Sequence, residues 1–247
     1  MRSRLGAVLV LLLIGSSNVV AAETEEGFVS LFDGKTLNGW KIGDGAELFQ
    51  VRDGMIVMEC PAVPPRKATH IFYVGDVANH DFKNFHLKVD VFAFPKANSG
   101  IFFNTRYVDS GRLTHGIECQ IDNSHSDWRR TGSLWGIKNV SWGPETPPTE
   151  LKKNQRKEDT IILPQSPIAD NTWYTQEIIH QNGQVVIKLD GKTLLEYTIA
   201  DADREHTLTT KRIWSPRGTF ALQGHPPMPG EISKVYFKNI RVKILPD

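Results

Sequence analysis

The chain has 247 residues, a formal net charge of +1 and 40% hydrophobic content, enough to fill the core of one large β domain. A charge so close to neutral gives no electrostatic case for nucleic acid or an anionic membrane surface as partner. The composition also excludes a disordered chain.

In chain order, Arg2 and Arg4 precede an apolar run from Leu5 to Ile14, and small residues lead to Val20-Ala21-Ala22. A basic start, a short oily stretch and small side chains before the cut predict a signal peptide over residues 1–22, cleaved after Ala22. Ten or so apolar residues are too few to span a bilayer, and no cysteine follows closely enough to carry a lipid. Residues 23–247 are therefore expected as one soluble domain, periplasmic or secreted. In that oxidising setting Cys60 and Cys119 leave one disulfide arithmetically open.

Next come Phe28 to Phe32 and two turn signals, Asp33-Gly34 and Asn38-Gly39. Asp33 reads as the maker of its own turn, with a lesser chance of reaching a site rim. Asp53-Gly54 closes a hairpin between Phe49–Val51 and Met55–Met58. A proline-rich loop leads to Ile71–Val74. From Phe85 to Val91 the chain alternates, with Phe85, Leu87, Val89 and Val91 inward and His86, Lys88 and Asp90 outward.

The stretch from Asn98 to Asp122 is the candidate site. Ile117, Cys119 and Ile121 alternate with Glu118, Gln120 and Asp122, so one face is oily and the other carries two carboxylates and an amide. Cys119 on the oily face reads as a buried thiol. In the strand before it, Ile101, Phe103, Thr105 and Tyr107 oppose Phe102, Asn104 and Arg106. Paired, the two strands predict a polar shelf. Trp135 and Trp142 read either as sugar-stacking platforms or as packing for the fold.

Residues Gly143 to Asn171 form a long polar segment with Lys152, Lys153, Arg156 and Lys157 clustered, readable as a lid or as a solvated charge run. Asn182-Gly183 and Asp190-Gly191 then join three strands, Trp173–Gln181, Gln184–Leu189 and Thr193–Thr198. Short turns near Ala200 to Arg204 are the nearest approach to helix. Gly218 to His225 places Gln223 and His225 on the face opposite Phe220 and Leu222, and Val235 to Ile244 closes the chain. About a dozen short strands with turns between them predict an all-β antiparallel sandwich of jelly-roll type.

Glu118 and Asp122 share a face but lie about 13 Å apart along one strand. Paired glycosidase carboxylates need about 5–5.5 Å or 6.5–9.5 Å, so neither serves the other; Asp90 on a nearby strand is the available partner. Glu118, Asp122, His225 and Arg106 converging on one sheet would offer a base, a clamp or metal ligands. The plain alternative is a surface salt bridge between Arg106 and Glu118. His115, His180 and His206 belong to no site.

Five segments occur in order: Leu31-Phe-Asp-Gly-Lys-Thr-Leu-Asn-Gly-Trp40, Asn98-Ser-Gly-Ile-Phe-Phe103, Gly116-Ile-Glu-Cys-Gln-Ile-Asp122, Leu222-Gln-Gly-His225 and Val235-Tyr-Phe-Lys-Asn-Ile240. Together they resemble the 3-keto-disaccharide hydrolase domain family, from about Phe28 to Ile244. The resemblance implies a concanavalin A-like jelly roll, an exported enzyme cleaving 3-keto-glycosides, and a divalent metal of unspecified identity. It implies that Glu118 is the base or a metal ligand, that His225 and Arg106 act with it, and that Asp90, Asn98, Gln120 and Asp122 surround the substrate. Asn104, Trp135 and Gln223 complete the candidate pocket, although Asn104 stands where the family pattern has arginine and Trp135 where it has tyrosine. The runner-up is a non-catalytic, lectin-like carbohydrate-binding domain.

Overall fold

The computed structural model describes residues 25–62, 67–110, 113, 115–143, 160–199 and 215–247. The signal peptide, the Lys152–Lys157 cluster, the Ala200–Arg204 turns and His206 lie outside these residues.

The described residues form β1 (Val29–Ser30), β2 (Trp40–Ile42), β3 (Phe49–Arg52), β4 (Met55–Pro61), β5 (Thr69–Tyr73), β6 (Phe85–Ala93), β7 (Ser99–Thr105), β8 (Ile117–Ile121), β9 (Asn139–Ser141), β10 (Thr160–Ile162), β11 (Trp173–Gln181), β12 (Gln184–Leu189), β13 (Lys192–Thr198), β14 (Thr219–Gly224) and β15 (Ile232–Ile244). The larger sheet runs β13-β12-β11-β6-β15-β4-β3, with β1 on β15; the smaller runs β2-β5-β14-β7-β8. Every pair within these two sheets is antiparallel. The chain is a jelly-roll sandwich. Among the described residues no helix is long and apolar enough to cross a membrane.

The hairpins follow from local chemistry. Asp53-Gly54, Asn182-Gly183 and Asp190-Gly191 all have positive φ at both positions, the backbone that matches the twist of the strands they join. Asp33 spends both carboxylate oxygens on its own turn, accepting from the amides of Lys35 and Thr36 and from the Thr36 hydroxyl.

Between the sheets, Ile101, Phe103, Ile117, Cys119, Ile121 and Leu222 face Phe85, Leu87, Val89, Val91, Val235 and Phe237. Cys60 and Cys119 are both buried and are not joined. The Gln176 amide donates to the Cys119 sulfur at 3.0 Å, and burial pushes that thiol up to about 12. Two features differ from the sequence reading. The described helical turns are 3-10 turns at Ala46–Leu48 and Val77–His80. The long segment from Gly143 to Asn171 contains β10, which runs parallel to β9.

Candidate active site

Residues directly opposite one another in a sheet share a face, and so do residues two apart along a strand. Across β5, β14, β7 and β8 the register therefore makes two neighbouring rows facing away from the core. One reads His70, Gln223, Gly100, Gln120; the other reads Phe72, Ala221, Phe102, Glu118.

Gly100 leaves a gap between the two glutamines, and Glu118 leans into it. A methyl group at Gly100 would come within 2.7 Å of Glu118 Oε1 and 2.9 Å of its Cγ. With its amide turned to satisfy both ends, Gln120 donates to Glu118 Oε1 at 3.1 Å and to the Ser99 carbonyl at 3.2 Å. Glu118 is thus held nearly flat on the sheet, 7% exposed. Gly100→Ala should displace that carboxylate while leaving the sandwich intact, because what must move is one side chain, Glu118 from its Cγ outward. We expect turnover to fall about a hundredfold with the melting temperature within a few degrees of wild type; steady-state kinetics and calorimetry check this.

A hollow of about 420 Å³ opens over these rows, within the range of small-molecule sites. It is bordered by His70, Asn98, Phe102, Leu113, Glu118, Gln120, Asp127, Trp135, Gln223 and His225, with the exposed Asp44 and Lys67 at its rim. Gln223 is buried, and its Oε1 accepts no hydrogen bond from the described residues.

The wall beyond β8 comes from residues 122–138. This segment hydrogen-bonds along the outer edge of β8: Gln120 N donates to Ser133 O, Gly132 N to Gln120 O and Trp135 N to Glu118 O. The Arg129 guanidinium grips Asp127 with two bonds of 2.9 and 2.6 Å and lies 3.9 Å over the Trp135 ring. Burial opposes ionisation of Asp127, but the Arg129 pair outweighs it and holds the carboxyl below its ordinary value. Arg130, 1% exposed, donates to Asp122 Oδ1 at 3.0 Å and to the carbonyls of His125 and Asp127.

His225 enters from the end of β14. Its Nδ1–H donates to the Pro226 carbonyl at 2.8 Å, which leaves Nε2 as an acceptor. Burial holds its pKa below the ordinary histidine value. His125, with ring centres 6.5 Å apart from His225, is lowered as well, by burial and then by His225 itself.

Of the residues singled out from the sequence, Glu118, His225, Asn98, Gln120, Trp135 and Gln223 border the hollow, and Arg106, Asp90, Asn104 and Asp122 do not. Each departure has a physical cause. Phe102 pairs with Ala221 and Thr105 with Thr219, so β7 carries one extra residue over this span. Asn104 absorbs it with φ +53°, fully buried. A bulge of this kind inverts the alternation beyond it: Arg106 is exposed, and Tyr107 joins the cluster of Phe72 and Phe102. Asp122 lies just past the end of β8, where the chain turns back. There it accepts from Arg130 and the His125 amide; burial pushes its carboxyl up to about 7. Asp90 belongs to β6 in the other sheet, bonded to Thr175, Asn239 and Arg241. Trp142 is buried and donates to the Asn123 carbonyl, packing for the fold.

Sequence reasoning placed Phe102 on the shelf face but missed His70, Leu113 and Asp127 as neighbours of the hollow. His70 had a usable signal, since its parity is opposite to Ile71. Asp127 sits in an irregular Ser-Asp-Trp-Arg-Arg run with no periodicity to read. Among the described residues no three His, Cys, Asp or Glu side chains converge as a ligand set. No step below is drawn through a metal.

The chain is thus a jelly-roll sandwich with a carboxylate, an imidazole and several amides in a hollow on one sheet. The chain belongs to the family described as 3-keto-alpha-glucoside-1,2-lyase-like domain, whose model matches residues 27–243. It is 24% identical over 243 residues to a 3-keto-disaccharide hydrolase of Bacteroides thetaiotaomicron, covering 89% of this chain and 79% of that protein. A crystal structure from Parabacteroides distasonis, provisionally assigned as a glycosyl hydrolase, superposes with TM-score 0.64 at 22% identity, over 93% of this chain and 99% of that one. The carbohydrate-binding module CBM66 of Bacillus subtilis has TM-score 0.50 at 12% identity, over 83% and 95%. These structural likenesses establish the fold.

Proposed function

We propose that the protein cleaves glycosides already oxidised to a ketone at sugar carbon 3, by elimination followed by addition of water. The observation that carries this reading is the setting of Glu118, flat over the Gly100 gap between two glutamine amides. A ketone at carbon 3 acidifies the hydrogen on carbon 2. Glu118 takes that proton, the electron pair forms the carbon 1–carbon 2 double bond, and the bond to the leaving group breaks. The departing oxygen takes up a proton. Water then adds at carbon 1 while carbon 2 regains a hydrogen, and the sum is hydrolysis.

Such a path needs one base and hydrogen-bond donors at the ketone oxygen, where negative charge develops. The amides of Asn98 and Gln223 border the hollow and supply donors. Gln223 Oε1, with no partner among the described residues, accepts from a sugar hydroxyl. His225 Nε2 takes the proton of the incoming water. Family membership and the similar hydrolase support the substrate class. The leader up to Ala22 supports export, and N-terminal sequencing of the mature protein should begin at Glu23.

The test is incubation with a 3-keto disaccharide, added divalent metals present, reading released sugar. Release above the uncatalysed rate is expected; intact substrate overturns the reading. The pH profile carries a second expectation. Protonating His225 removes its acceptor, so activity should fall as pH drops through a pKa below the ordinary value of about 6.5. His225→Asn should erase that acid limb.

A further inference from the structure

The hollow has two unlike ends. Asn98, Gln120 and Gln223 present amides at one end, Phe102 and Leu113 border it at the other, and Glu118, cross-strand from Phe102 and leaning toward Gly100, lies between them. The second end is no accident of loose packing. Phe102, Leu113, Phe72 and Ala221 form a hydrophobic cluster separate from the main core, with Tyr107 and Val108 packed against it. The His70 ring stands edge-on to Phe102 at 5.0 Å, and Tyr107 stands edge-on to Phe72 at 5.4 Å. The Asn104 bulge adds to it by turning Tyr107 onto this face instead of into the sandwich.

We propose that this apolar end is the subsite for the leaving group, and that it takes an alkyl or aryl group in preference to a second sugar. The inference rests on the cleavage reading above. The ketone and hydroxyls of the oxidised ring match the amides at the polar end. A second sugar would set its hydroxyls against Phe102 and Leu113, which return no hydrogen bond, and each hydroxyl stripped of water without a partner weakens binding. A hydrocarbon chain loses nothing there and leaves water.

The decisive measurement uses glycosides that need no turnover. Binding of hexyl glucoside and of a glucose disaccharide linked through a primary hydroxyl, neither oxidised, is measured by calorimetry. The hexyl compound should bind about tenfold more tightly, and Leu113→Asn should remove most of that difference. The corresponding 3-keto compounds, whose leaving groups are both alcohols of similar basicity, should show the same order in kcat/KM. Equal affinity for the two glycosides, or preference for the disaccharide, overturns the subsite whether or not either is cleaved. If the hexyl glucoside binds more tightly yet no 3-keto compound is turned over, the cleavage reading fails and the apolar subsite stands. Should Leu113→Asn fail to fold, the wild-type comparison decides alone.

Discussion

Replacing Glu118 with Gln should lower turnover of a 3-keto glycoside by about a thousandfold, within the range that removing a positioned base produces. The amide keeps the volume that fills the Gly100 gap, but it cannot accept a proton from carbon 2. Affinity for an unoxidised glycoside should stay within about threefold of wild type, because the amides that meet the sugar are untouched. Single-turnover kinetics and calorimetry separate the two quantities. A variant that loses affinity in step with turnover would make Glu118 a substrate ligand instead of the base. Undiminished turnover would move the base to another group in the hollow, with His225 the next to test.

Arg130→Met should be the most damaging single change to stability, about 3–5 kcal/mol, as expected when one partner of a buried ion pair is removed. Arg130 also ties down the carbonyls of His125 and Asp127, so the pocket wall loosens with it. The pH dependence distinguishes this account from a simple packing defect. Asp122 is raised to about 7 in the fold, first by burial and against the pull of Arg130. Its unfolded pKa is near 3.9, so between those values the native state binds more protons than the unfolded one, and this group's contribution falls as pH rises. Without Arg130 the folded pKa climbs further, so the loss continues above pH 7, where the wild type has levelled off. The stability gap between the two proteins should therefore be nearly constant from about pH 5 to 6 and widen above 7. Denaturant melts at several pH values measure it, and a gap independent of pH would count against the ion pair as its cause.

The sandwich was legible from the sequence because its evidence is local. Asp-Gly and Asn-Gly turns report their own backbone, and the alternation of Phe85 to Val91 or Ile117 to Ile121 reports burial directly. Parity alone could place Glu118 and Gln120 on one face, and Gln223 on the outward face of its own strand. Two kinds of information were not local. A single added residue at Asn104 inverted the parity of the residues just after it, so Arg106 left the shelf and Tyr107 arrived on it. Sheet membership was the other. Asp90 alternates outward as expected, but β6 lies in the opposite sheet, and no spacing in the chain says which outward face is which. Asp127 and Arg129 belong to a loop whose shape is set by a buried arginine, and buried arginine leaves no periodic signature.

The strand that carries Glu118 is the last in its sheet, and its free side is bonded to an irregular segment, residues 132–135, in place of a further strand. Backbone protons on that border exchange with solvent when the loop peels away, an opening far smaller than global unfolding. The Gln120, Gly132 and Trp135 amides thus act as a built-in gauge of occupancy. A sugar spanning Glu118 and Trp135 would pin the loop to the strand, and deuterium uptake at those three amides should slow while the larger sheet keeps its rate.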